Sequence, residues 1–174
     1  MFNFVTREDP QETDSTLICF TDGSCFNNGK ANASAGFAVH WPYHPELDRS
    51  EKLTFDKQTN NRAEYASAIY AIHQADTILD PLQTKTLIIY SDSMLLIDSL
   101  SKWIFNWKKN NWRKSDGKQV LNLDLLKELD TKMCINGNDC NGKRKVVFRH
   151  VKAHTNKKDW ESIHNDIVDQ MTRL

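Results

Sequence analysis

The sequence of 174 residues has no surplus of charge, no long apolar run and no Cys-x-x-Cys pair. Its 23 basic and 23 acidic side chains cancel, so the net charge does not indicate a nucleic-acid partner. Because it has no long apolar run, the sequence predicts no membrane-spanning helix. Because a secretory leader pattern is also missing, we expect an intracellular, reduced protein with no membrane partner.

Cysteine is scarce, and one arrangement of cysteine and histidine needs to be considered as a zinc site. Cys134 and Cys140 precede His150 and His154. The spacing between the two cysteines is wider than that of the usual zinc-binding pair, and the segment between them is rich in Asn and Gly, which is typical of a loop tip. A structural zinc site is therefore disfavoured.

Charge is distributed unevenly along the chain although its total is zero. Residues 102–118 hold six basic side chains against Asp116 alone, and residues 141–158 hold seven basic side chains and no acid. Residues 1–15 hold four acids against one Arg. Segregation of this kind favours a surface that faces a polyanion, and a solvated loop is the alternative for either basic segment.

The segment 17–24 combines a short apolar run with an acid. Residues 17–20 are typical of a buried strand, and Asp22 and Gly23 follow directly. Taken alone, Asp-Gly is equally typical of a turn. A carboxylate at the end of a buried strand is costly to desolvate, so the alternative is that Asp22 has a partner or a metal ion.

The remaining patterns predict one α/β domain with a five-stranded mixed sheet flanked by helices. A flexible lead-in over residues 1–15 precedes the domain at 16–174. The other predicted strands are 35–41, 52–56, 86–90 and 145–151, and the predicted helices are 60–79, 94–100, 103–107, 122–133 and 159–173. Asn60 is predicted as the N-cap of the first helix. Ile163, Ile167, Val168 and Met171 are predicted to face inward from the last helix.

Three acids lie at matching places in these elements. Asp22 and Asp92 each follow a predicted core strand, and Glu64 lies in the opening turns of the helix between them. The ends of parallel strands meet outside the sheet, so the three side chains can converge there. Gathered carboxylates repel one another, and divalent cations relieve that repulsion. Oxygen ligands alone favour Mg²⁺ or Mn²⁺ over zinc.

At this point the sequence resembles a type 1 ribonuclease H, in particular the eukaryotic kind. The resemblance spans residues 17–174 and rests on five motifs in order. They are Thr-Asp-Gly-Ser at 21–24, Gln-Thr-Asn-Asn-Arg-Ala-Glu at 58–64, Ser-Asp-Ser-Met at 91–94, Trp-x3-Trp-Lys-Lys-Asn-x-Trp at 103–112, and His-Val-Lys-Ala-His at 150–154.

The resemblance implies an endonuclease that hydrolyses the RNA strand of RNA/DNA hybrids and leaves 3′-hydroxyl and 5′-phosphate ends. It implies two Mg²⁺ ions, with Mn²⁺ able to substitute, held by Asp22, Glu64, Asp92 and a fourth acid on the last helix. His154 matches a histidine that assists proton transfer or product departure. A satisfied surface histidine is the alternative for His154.

The resemblance also implies three groups of substrate contacts. Residues that recognise ribose 2′-hydroxyls would be Asn28, Asn61 and Met94. A pocket for a DNA phosphate would consist of Lys57, Thr59 and Asn122. A channel for the DNA strand would be lined by Trp103 and Trp107, with Lys108, Lys109, Arg113 and Lys114 over its backbone. Packing of the helix against the domain is the alternative role for the two tryptophans.

The fourth acid has two candidates on the last helix. A count of residues from His154 favours Asp166, whereas the family pattern Asn-x-x-x-Asp, begun at Asn165, selects Asp169. The second alignment places the extra residues in a surface loop at 155–163, where insertions are tolerated better than in a helix. We therefore predict Asp169 as the fourth ligand.

Two other function classes share this kind of fold. A non-catalytic hybrid-binding module would lack at least one of the carboxylates, and all are present. A strand-transfer enzyme of the integrase type would lack the motif at 58–64 and the Trp/Lys segment. We therefore expect a monomeric enzyme whose partner is an RNA/DNA hybrid.

Overall fold

The computed structural model describes residues 8–135, 137 and 140–173. The strands are β1 (Thr16–Phe26), β2 (Ser34–His40), β3 (Arg49–Lys52), β4 (Thr86–Ser91), β5 (Met133–Ile135) and β6 (Arg144–His150). The helices are α1 (Asn60–Gln74), α2 (Met94–Asp98), α3 (Ile104–Lys109), α4 (Leu123–Lys132) and α5 (Trp160–Met171). One 3₁₀ turn (Pro45–Leu47) and two π-helical turns (Ala75–Leu79 and Ser99–Trp103) complete these elements.

The strands form one mixed sheet in the order β3-β2-β1-β4-β6-β5. β1, β2 and β3 pair in antiparallel fashion, whereas β1, β4, β6 and β5 run parallel. The predicted α/β fold with a mixed sheet is confirmed, but the sheet has six strands rather than the five expected. Parallel pairing aligns the ends of β1 and β4, which is what a shared site requires.

Two edge strands differ from the prediction. β5 was missed because it has three residues and begins directly where α4 ends. β3 ends at Lys52, where the predicted strand begins. The position of β3 is set by its pairing with β2, and the last residue pair of that ladder is Gly36↔Lys52. The alternating apolar residues that follow Lys52 lie outside the ladder. Edge strands depend on such pairing more than on side-chain alternation.

The N-cap of the helix that follows β3 lies one residue earlier than expected. The N-cap is Thr59, whose Oγ1 accepts a hydrogen bond from the Arg62 backbone N–H at 3.2 Å, so the prediction of Asn60 is wrong by one position. Buried alanines let α1 pack closely on the sheet, and a π-helical turn continues it to Leu79. Asp80 and Pro81 then end it, as the proline predicts.

The helices predicted at 94–100 and 103–107 form one continuous helical segment. α2 passes into the π-helical turn Ser99–Trp103, which passes into α3. Ser93 caps the segment, since its Oγ accepts from the Leu96 backbone N–H at 3.2 Å. The buried Ser99 Oγ accepts a hydrogen bond from Tyr65 Oη at 2.8 Å, which ties the segment to α1.

Hydrophobic cores cover both faces of the sheet. Alternate residues of β1 point to opposite sides, so Leu17 and Cys19 pack with α1, α2 and α4. Ile18 and Phe20 pack in the smaller core, with Val168 of α5. The sheet is therefore the middle of three layers, and the described carboxyl ends of its parallel strands lie between the helical layers.

The inward face of α5 differs from the prediction. Ile163 and Ile167 are 45% and 37% exposed, so their predicted burial is wrong. Val168 is buried and Met171 packs against the same core, as predicted. The face is set by Trp160 and His164, one turn apart, whose rings lie 5.4 and 5.5 Å from the ring of Phe20. Aromatic packing therefore outweighs the two isoleucines in orienting the helix.

A buried arginine holds the end of the sheet that lies away from the carboxylates. Arg144, at the start of β6, donates to Asp76, to Asp80 and to two backbone carbonyls. Burial alone would raise the pKa of Asp80, but hydrogen bonds from Arg144 and the Lys85 backbone N–H lower it to about 2. All three charged side chains are thus hydrogen-bonded, which offsets the cost of burying the charges.

A disulfide links Cys134 of β5 to Cys140. This pairing differs from the expectation of a fully reduced protein and leaves neither cysteine available to bind zinc. None of the described helices is long and apolar enough to cross a membrane. The intracellular location stays a prediction.

The segment before β1 contacts the domain over part of its length. Residues 1–7 of the predicted lead-in lie outside the described residues. Tyr43 Oη donates to the Pro10 carbonyl, and Glu12 binds the Ile18 backbone N–H at 2.9 Å and His44 at 2.7 Å. The chain is therefore held against the sheet from Pro10 onward.

Two histidines and a carboxylate form a hydrogen-bonded chain between β2 and α5. His40 Nδ1 lies 2.7 Å from Asp48 Oδ2, and His40 Nε2 lies 2.8 Å from His164 Nδ1. Burial and the neighbouring His40 lower the pKa of His164, while Asp48 and Asp9 oppose that effect weakly. The neutral form of His164 is thus the one that suits the folded state.

This chain predicts a loss of stability in mild acid. A histidine whose folded-state pKa lies below its ordinary value of 6.5 takes up a proton more readily when unfolded, so stability falls as the pH drops below that value. We expect the contribution of His164 to the free energy of unfolding to fall between about pH 7 and pH 5. The wild type should therefore lose stability relative to His164→Asn over this range, because Asn does not titrate.

Urea unfolding at the two pH values measures the effect, and His73→Asn is the matched control because His73 is exposed. The stability of the control should change with pH as that of the wild type does. An equal change in the wild type and in His164→Asn would contradict the prediction.

Candidate active site

The predicted acids at 22, 64 and 92 meet at one point. Asp22 lies within β1, just beyond its last pair with β4, Phe20↔Tyr90, and Asp92 directly follows β4. Glu64 lies in the second turn of α1. One ligand atom from each side chain falls within 4.8 Å of the others. β1 is longer than predicted, since it runs on to Phe26, but its pairing with β4 ends where the site begins.

Gly23 allows this approach between strand and helix. A Cβ atom at position 23 would lie 2.4 Å from the Glu64 backbone nitrogen and 2.8 Å from the Ala63 Cβ. Real Cβ atoms do not approach backbone so closely, so any side chain would push β1 and α1 apart. The absence of a side chain at Gly23 is therefore what brings Asp22 next to Glu64.

The last helix adds three polar residues to the site. Asn165 Nδ2 donates to Asp92 Oδ2 at 3.2 Å, and Thr172 Oγ1 lies 3.4 Å from Asp22 Oδ2. Asp169 lies between them on the same face of α5, and its charge helps to raise the pKa of Asp22. The helix face at 165, 169 and 172 is thus directed at the carboxylates.

The electrostatics of the site are unfavourable without a cation. Burial raises the pKa of Asp22 to about 7, and the charges of Asp92 and Asp169 add to the effect. Burial likewise raises the pKa of Glu64 well above its usual range, with further contributions from Asp22 and Asp92. Like charges in a desolvated site produce such shifts, and a bound cation would reverse them.

The donor set fits a hard divalent cation. All the gathered ligand atoms are carboxylate oxygens, which is the chemistry that Mg²⁺ and Mn²⁺ prefer. Glu64 Oε2 is buried and has no hydrogen-bond partner among the described residues. Within the described residues, this is the one group of three or more potential ligands close enough to hold a metal.

The position of α5 bears on the choice between Asp166 and Asp169. Asp169 lies one turn after Asn165, which binds Asp92, and it also lines an open groove of about 860 Å³ beside the site. Its Oδ2 accepts from Arg173 Nη2 at 2.6 Å. Asp166 is one residue, or about 100°, further round the helix than Asn165. The helix geometry favours Asp169.

His154 lies in an exposed turn after β6. Its backbone has a φ of 52°, in the left-handed region, where a non-glycine residue is uncommon. The turn leads into the segment 155–159 that precedes α5. The structure therefore leaves the imidazole of His154 accessible to solvent on the loop that joins β6 to α5.

The predicted hybrid contacts near α1 lie around its first turn. Asn28 Oδ1 accepts from the Asn60 backbone N–H at 3.2 Å, so the loop after β1 is tied to this turn. Asn61 and Lys57 are exposed, and Thr59 is half-buried as the N-cap. Asn122 reaches the same region from α4.

The predicted contacts further along the chain lie on the helical segment that follows Asp92. Met94 begins α2 and is 44% exposed. Trp103 is 41% exposed, whereas Trp107 is half-buried and packs against the larger core. Their ring centroids are 5.9 Å apart. The packing role is thus present for Trp107, and Trp103 offers the free aromatic surface.

The predicted basic segment combines exposed lysines with local acids. Lys108 and Lys109 are exposed at the end of α3. Lys108 Nζ lies 2.9 Å from Asp130, and Lys114 Nζ lies 3.9 Å from Asp116. Such exposed pairs are weak, so the lysines remain available to an incoming polyanion.

The sequence did not predict that Thr172 contacts the site, or that position 23 has no room for a side chain. Asn165 served only to align the last helix, although its spacing of four residues from Asp169 places both on one helix face. That spacing could have identified Asn165 as a contact of the site. Thr172 at the helix end carries no comparable signal.

Comparisons with known proteins agree with this geometry. A family model described as RNase H matches residues 14–174. Ribonuclease H1 of Homo sapiens is 39% identical over 158 residues, which cover 90% of this chain and 49% of that protein. Ribonuclease H of Haemophilus influenzae (strain 86-028NP) is 33% identical over 154 residues, which cover 88% of this chain and 85% of that protein.

The chain belongs to the ribonuclease H family, and its resemblance to the type 1 enzymes is confirmed. It spans about half the length of the human relative. A foamy viral protease-reverse transcriptase, solved in complex with RNA/DNA hybrid, is similar in fold with a TM-score of 0.65 at 17% identity. That similarity covers 99% of this chain and 22% of the viral chain.

The crowding of carboxylates predicts opposite effects of Asp22→Asn on stability with and without metal. Without metal, the variant should melt higher than the wild type, by about 2–4 °C for each kcal/mol gained, because one buried negative charge is removed. With Mg²⁺, the wild type should gain thermal stability and the variant should gain much less.

Melting temperatures in a chelator and in Mg²⁺ measure both effects. Asp166→Asn serves as a control, since it removes one acid from α5 outside the three-carboxylate group. A metal-free variant less stable than the wild type, or an equal response of both to Mg²⁺, would show that crowding does not govern this site.

Proposed function

We propose that the chain is an endonuclease that hydrolyses the RNA strand of RNA/DNA hybrids and leaves 3′-hydroxyl and 5′-phosphate ends. One observation carries the proposal. Within a ribonuclease H chain, three carboxylates from two strands and a helix lie with ligand atoms within 4.8 Å of one another. The structural relative solved with an RNA/DNA hybrid supports the choice of substrate.

Asp22, Glu64, Asp92 and Asp169 would hold two Mg²⁺ ions, with Mn²⁺ able to substitute. When bound, these ions supply Lewis-acid chemistry that favours attack by water and stabilises charge on the departing 3′-oxygen. The chain contributes the clustered negative charge and the burial that make cation binding favourable there. Asn165 and Thr172 would orient Asp92 and Asp22 through the contacts described above.

His154 would take part in proton transfer or in product departure. Its exposure on the loop between β6 and α5 supports this role, because an exposed imidazole exchanges protons with solvent. A satisfied surface histidine stays the alternative.

Asn28, Asn61 and Met94 would contact ribose 2′-hydroxyls in the minor groove of the hybrid. Asn28 uses its Oδ1 on the Asn60 backbone N–H, which leaves its NH₂ group free of that contact and able to donate. The exposure of Asn61 and Met94 supports their access to a substrate. The 2′-hydroxyl is the group that distinguishes RNA from DNA in this groove.

Contacts to the DNA strand would come from two surfaces. Lys57, Thr59 and Asn122 would bind a phosphate beside the start of α1. Trp103 would stack against the strand with support from Trp107, while Lys108 and Lys109 approach its backbone. These residues are exposed or half-buried, which supports access by a duplex. We further propose that the chain acts as a monomer.

The rival functions lack supporting observations. A non-catalytic module needs no intact group of carboxylates, yet the three are gathered, and Glu64 Oε2 has no hydrogen-bond partner in the described part of the chain. A strand-transfer enzyme of the integrase type is disfavoured by the RNase H match over residues 14–174. End-labelled RNA/DNA hybrid, duplex DNA and duplex RNA, each incubated with Mg²⁺, would separate these possibilities, with cleavage expected in the hybrid alone.

The fourth ligand is tested by two substitutions on one helix. Asp169→Asn should abolish most hybrid cleavage in Mg²⁺, because it removes a charge beside Asp22. Asp166→Asn is the matched control and should retain near-normal cleavage. Circular dichroism checks that both variants fold. Normal cleavage by Asp169→Asn together with loss in Asp166→Asn would show that the alignment of α5 is wrong.

The basic segment is tested by the salt dependence of hybrid binding. Each neutralised phosphate contributes about 0.7–0.9 to the slope of log K against log salt. Changing Lys108, Lys109 and Lys114 to Glu should flatten the slope by about 2. The same change at Lys85, Lys132 and Lys145, near the other ends of the strands, is a control of equal charge and should leave the slope near that of the wild type.

Equal slopes for the two triple variants would contradict a backbone contact by the basic segment.

A further inference from the structure

A buried arginine joins the starts of two helices beside the proposed phosphate pocket. Arg62, in the first turn of α1, donates from Nη1 to Asp124 Oδ1 at 2.9 Å and from Nη2 to Asp124 Oδ2 at 2.7 Å. Asp124 lies in the first turn of α4. The paired, planar contact fixes the two helix starts relative to each other. The inference below rests on the proposed function, since it concerns that pocket.

Arg62 is not placed to bind a phosphate itself. Its side chain is 8% exposed, and its two terminal nitrogens are directed at Asp124. The Phe55 ring covers the guanidinium at 4.9 Å, and Nε is buried with no hydrogen-bond partner among the described residues. The positive charge is therefore neutralised by Asp124 and shielded from an incoming anion.

Arg62 instead contacts two of the proposed phosphate-binding side chains. Its backbone N–H donates to Thr59 Oγ1 at 3.2 Å, which occupies the hydroxyl oxygen as an acceptor and leaves its hydrogen to donate outward. Its Nη1 faces Asn122 Oδ1 at 3.5 Å. A contact of that length acts chiefly through charge: the guanidinium attracts the amide oxygen and repels the NH₂ group.

The second contact matters because Asn122 has an unusual backbone. Its φ of 57° and ψ of 34° lie in the left-handed region, and its side chain makes no capping hydrogen bond to α4. The carboxamide is thus free of its own helix, and either end of it could face outward. The guanidinium selects the orientation in which the NH₂ donors point away from Arg62.

The Thr59 contact uses only the Arg62 backbone, so the guanidinium acts on Asn122 alone. We propose that Arg62 is a positioning residue whose side chain makes Asn122 present hydrogen-bond donors, beside the Thr59 hydroxyl, to one phosphate of the DNA strand. An anion needs donors, and an Asn amide turned the other way would offer its oxygen and repel the phosphate. Asp124 has two effects on Arg62. It fixes the position of the guanidinium, and it neutralises the positive charge that would otherwise bind the phosphate directly. Specificity for one phosphate thus depends on a residue that does not touch it.

The test uses hybrids in which one DNA phosphate at a time is replaced by an uncharged methylphosphonate. Confining the ribonucleotides to a short central block fixes where the enzyme cuts, so each DNA phosphate keeps one position relative to the pocket. For the wild type, one replacement should raise KM about tenfold, as expected for losing charge-assisted hydrogen bonds, with kcat nearly unchanged.

Arg62→Lys keeps the charge but loses the planar fork, so it should lose this sensitivity to position. The sensitive replacement should then raise KM less than threefold relative to unmodified hybrid. Arg49→Lys is the matched control, because Arg49 forms an exposed pair with Glu51 on β3, and it should keep the tenfold effect. Asn122→Ala should lose the sensitivity as well, and combining it with Arg62→Lys should add little.

Asp124→Asn provides a second route if Arg62→Lys folds poorly. The Asp124 side chain is 61% exposed, so this change should leave the fold intact while loosening the guanidinium. It should reduce the positional effect at least threefold. Retention of the full tenfold effect in a folded Arg62→Lys or Asp124→Asn variant would overturn the inference about Arg62 and would leave the proposed function standing. Failure of the wild type to cleave any hybrid would instead overturn the proposed function.

Discussion

The site depends on contact between a strand and a helix that has no room for a side chain. β1 touches α1 at Gly23, where a Cβ would lie 2.4 Å from the Glu64 nitrogen. Everything else in the site is placed relative to this contact. Asp22 precedes the glycine, Glu64 belongs to the helix that the glycine contacts, and Asp92 is aligned with Asp22 by the parallel pairing of β1 and β4.

The same contact makes the site costly for the folded chain. Close approach buries Asp22 and Glu64, and burial with neighbouring charge raises the pKa of each. Elsewhere the chain buries a charge beside charges of the opposite sign, as Arg144 shows with Asp76 and Asp80. The carboxylate site is different because its compensating charge must arrive from solution. The charges around Arg144 thus stabilise one end of the sheet, whereas the repelling carboxylates destabilise the other end.

Much of this arrangement could be predicted because it follows from local order in the sequence. The strand-and-acid patterns at Asp22 and Asp92 are short-range signals, and they located the carboxylates that the structure brings together. The central strands were also predicted, since buried parallel strands form apolar runs. The roles of the site residues stay predictions.

The features that were missed depend on contacts between distant parts of the chain. β5 is too short to have a pattern of its own, and the limits of β3 follow from its pairing with β2. The inward face of α5 is set by Phe20, far away in sequence, which packs against Trp160 and His164.

The π-helical turn Ser99–Trp103 has a consequence for how the chain tolerates changes of length. A π-helical turn holds one residue more than the α-helical turn it replaces, and here a helix continues on either side of it. Deleting one residue within Ser99–Trp103 would therefore restore an ordinary turn and leave Ile104 in its core position. A deletion in α2 would instead rotate all that follows by about 100°. Homologues that differ by a single residue in this helical segment should carry their alignment gap at this turn.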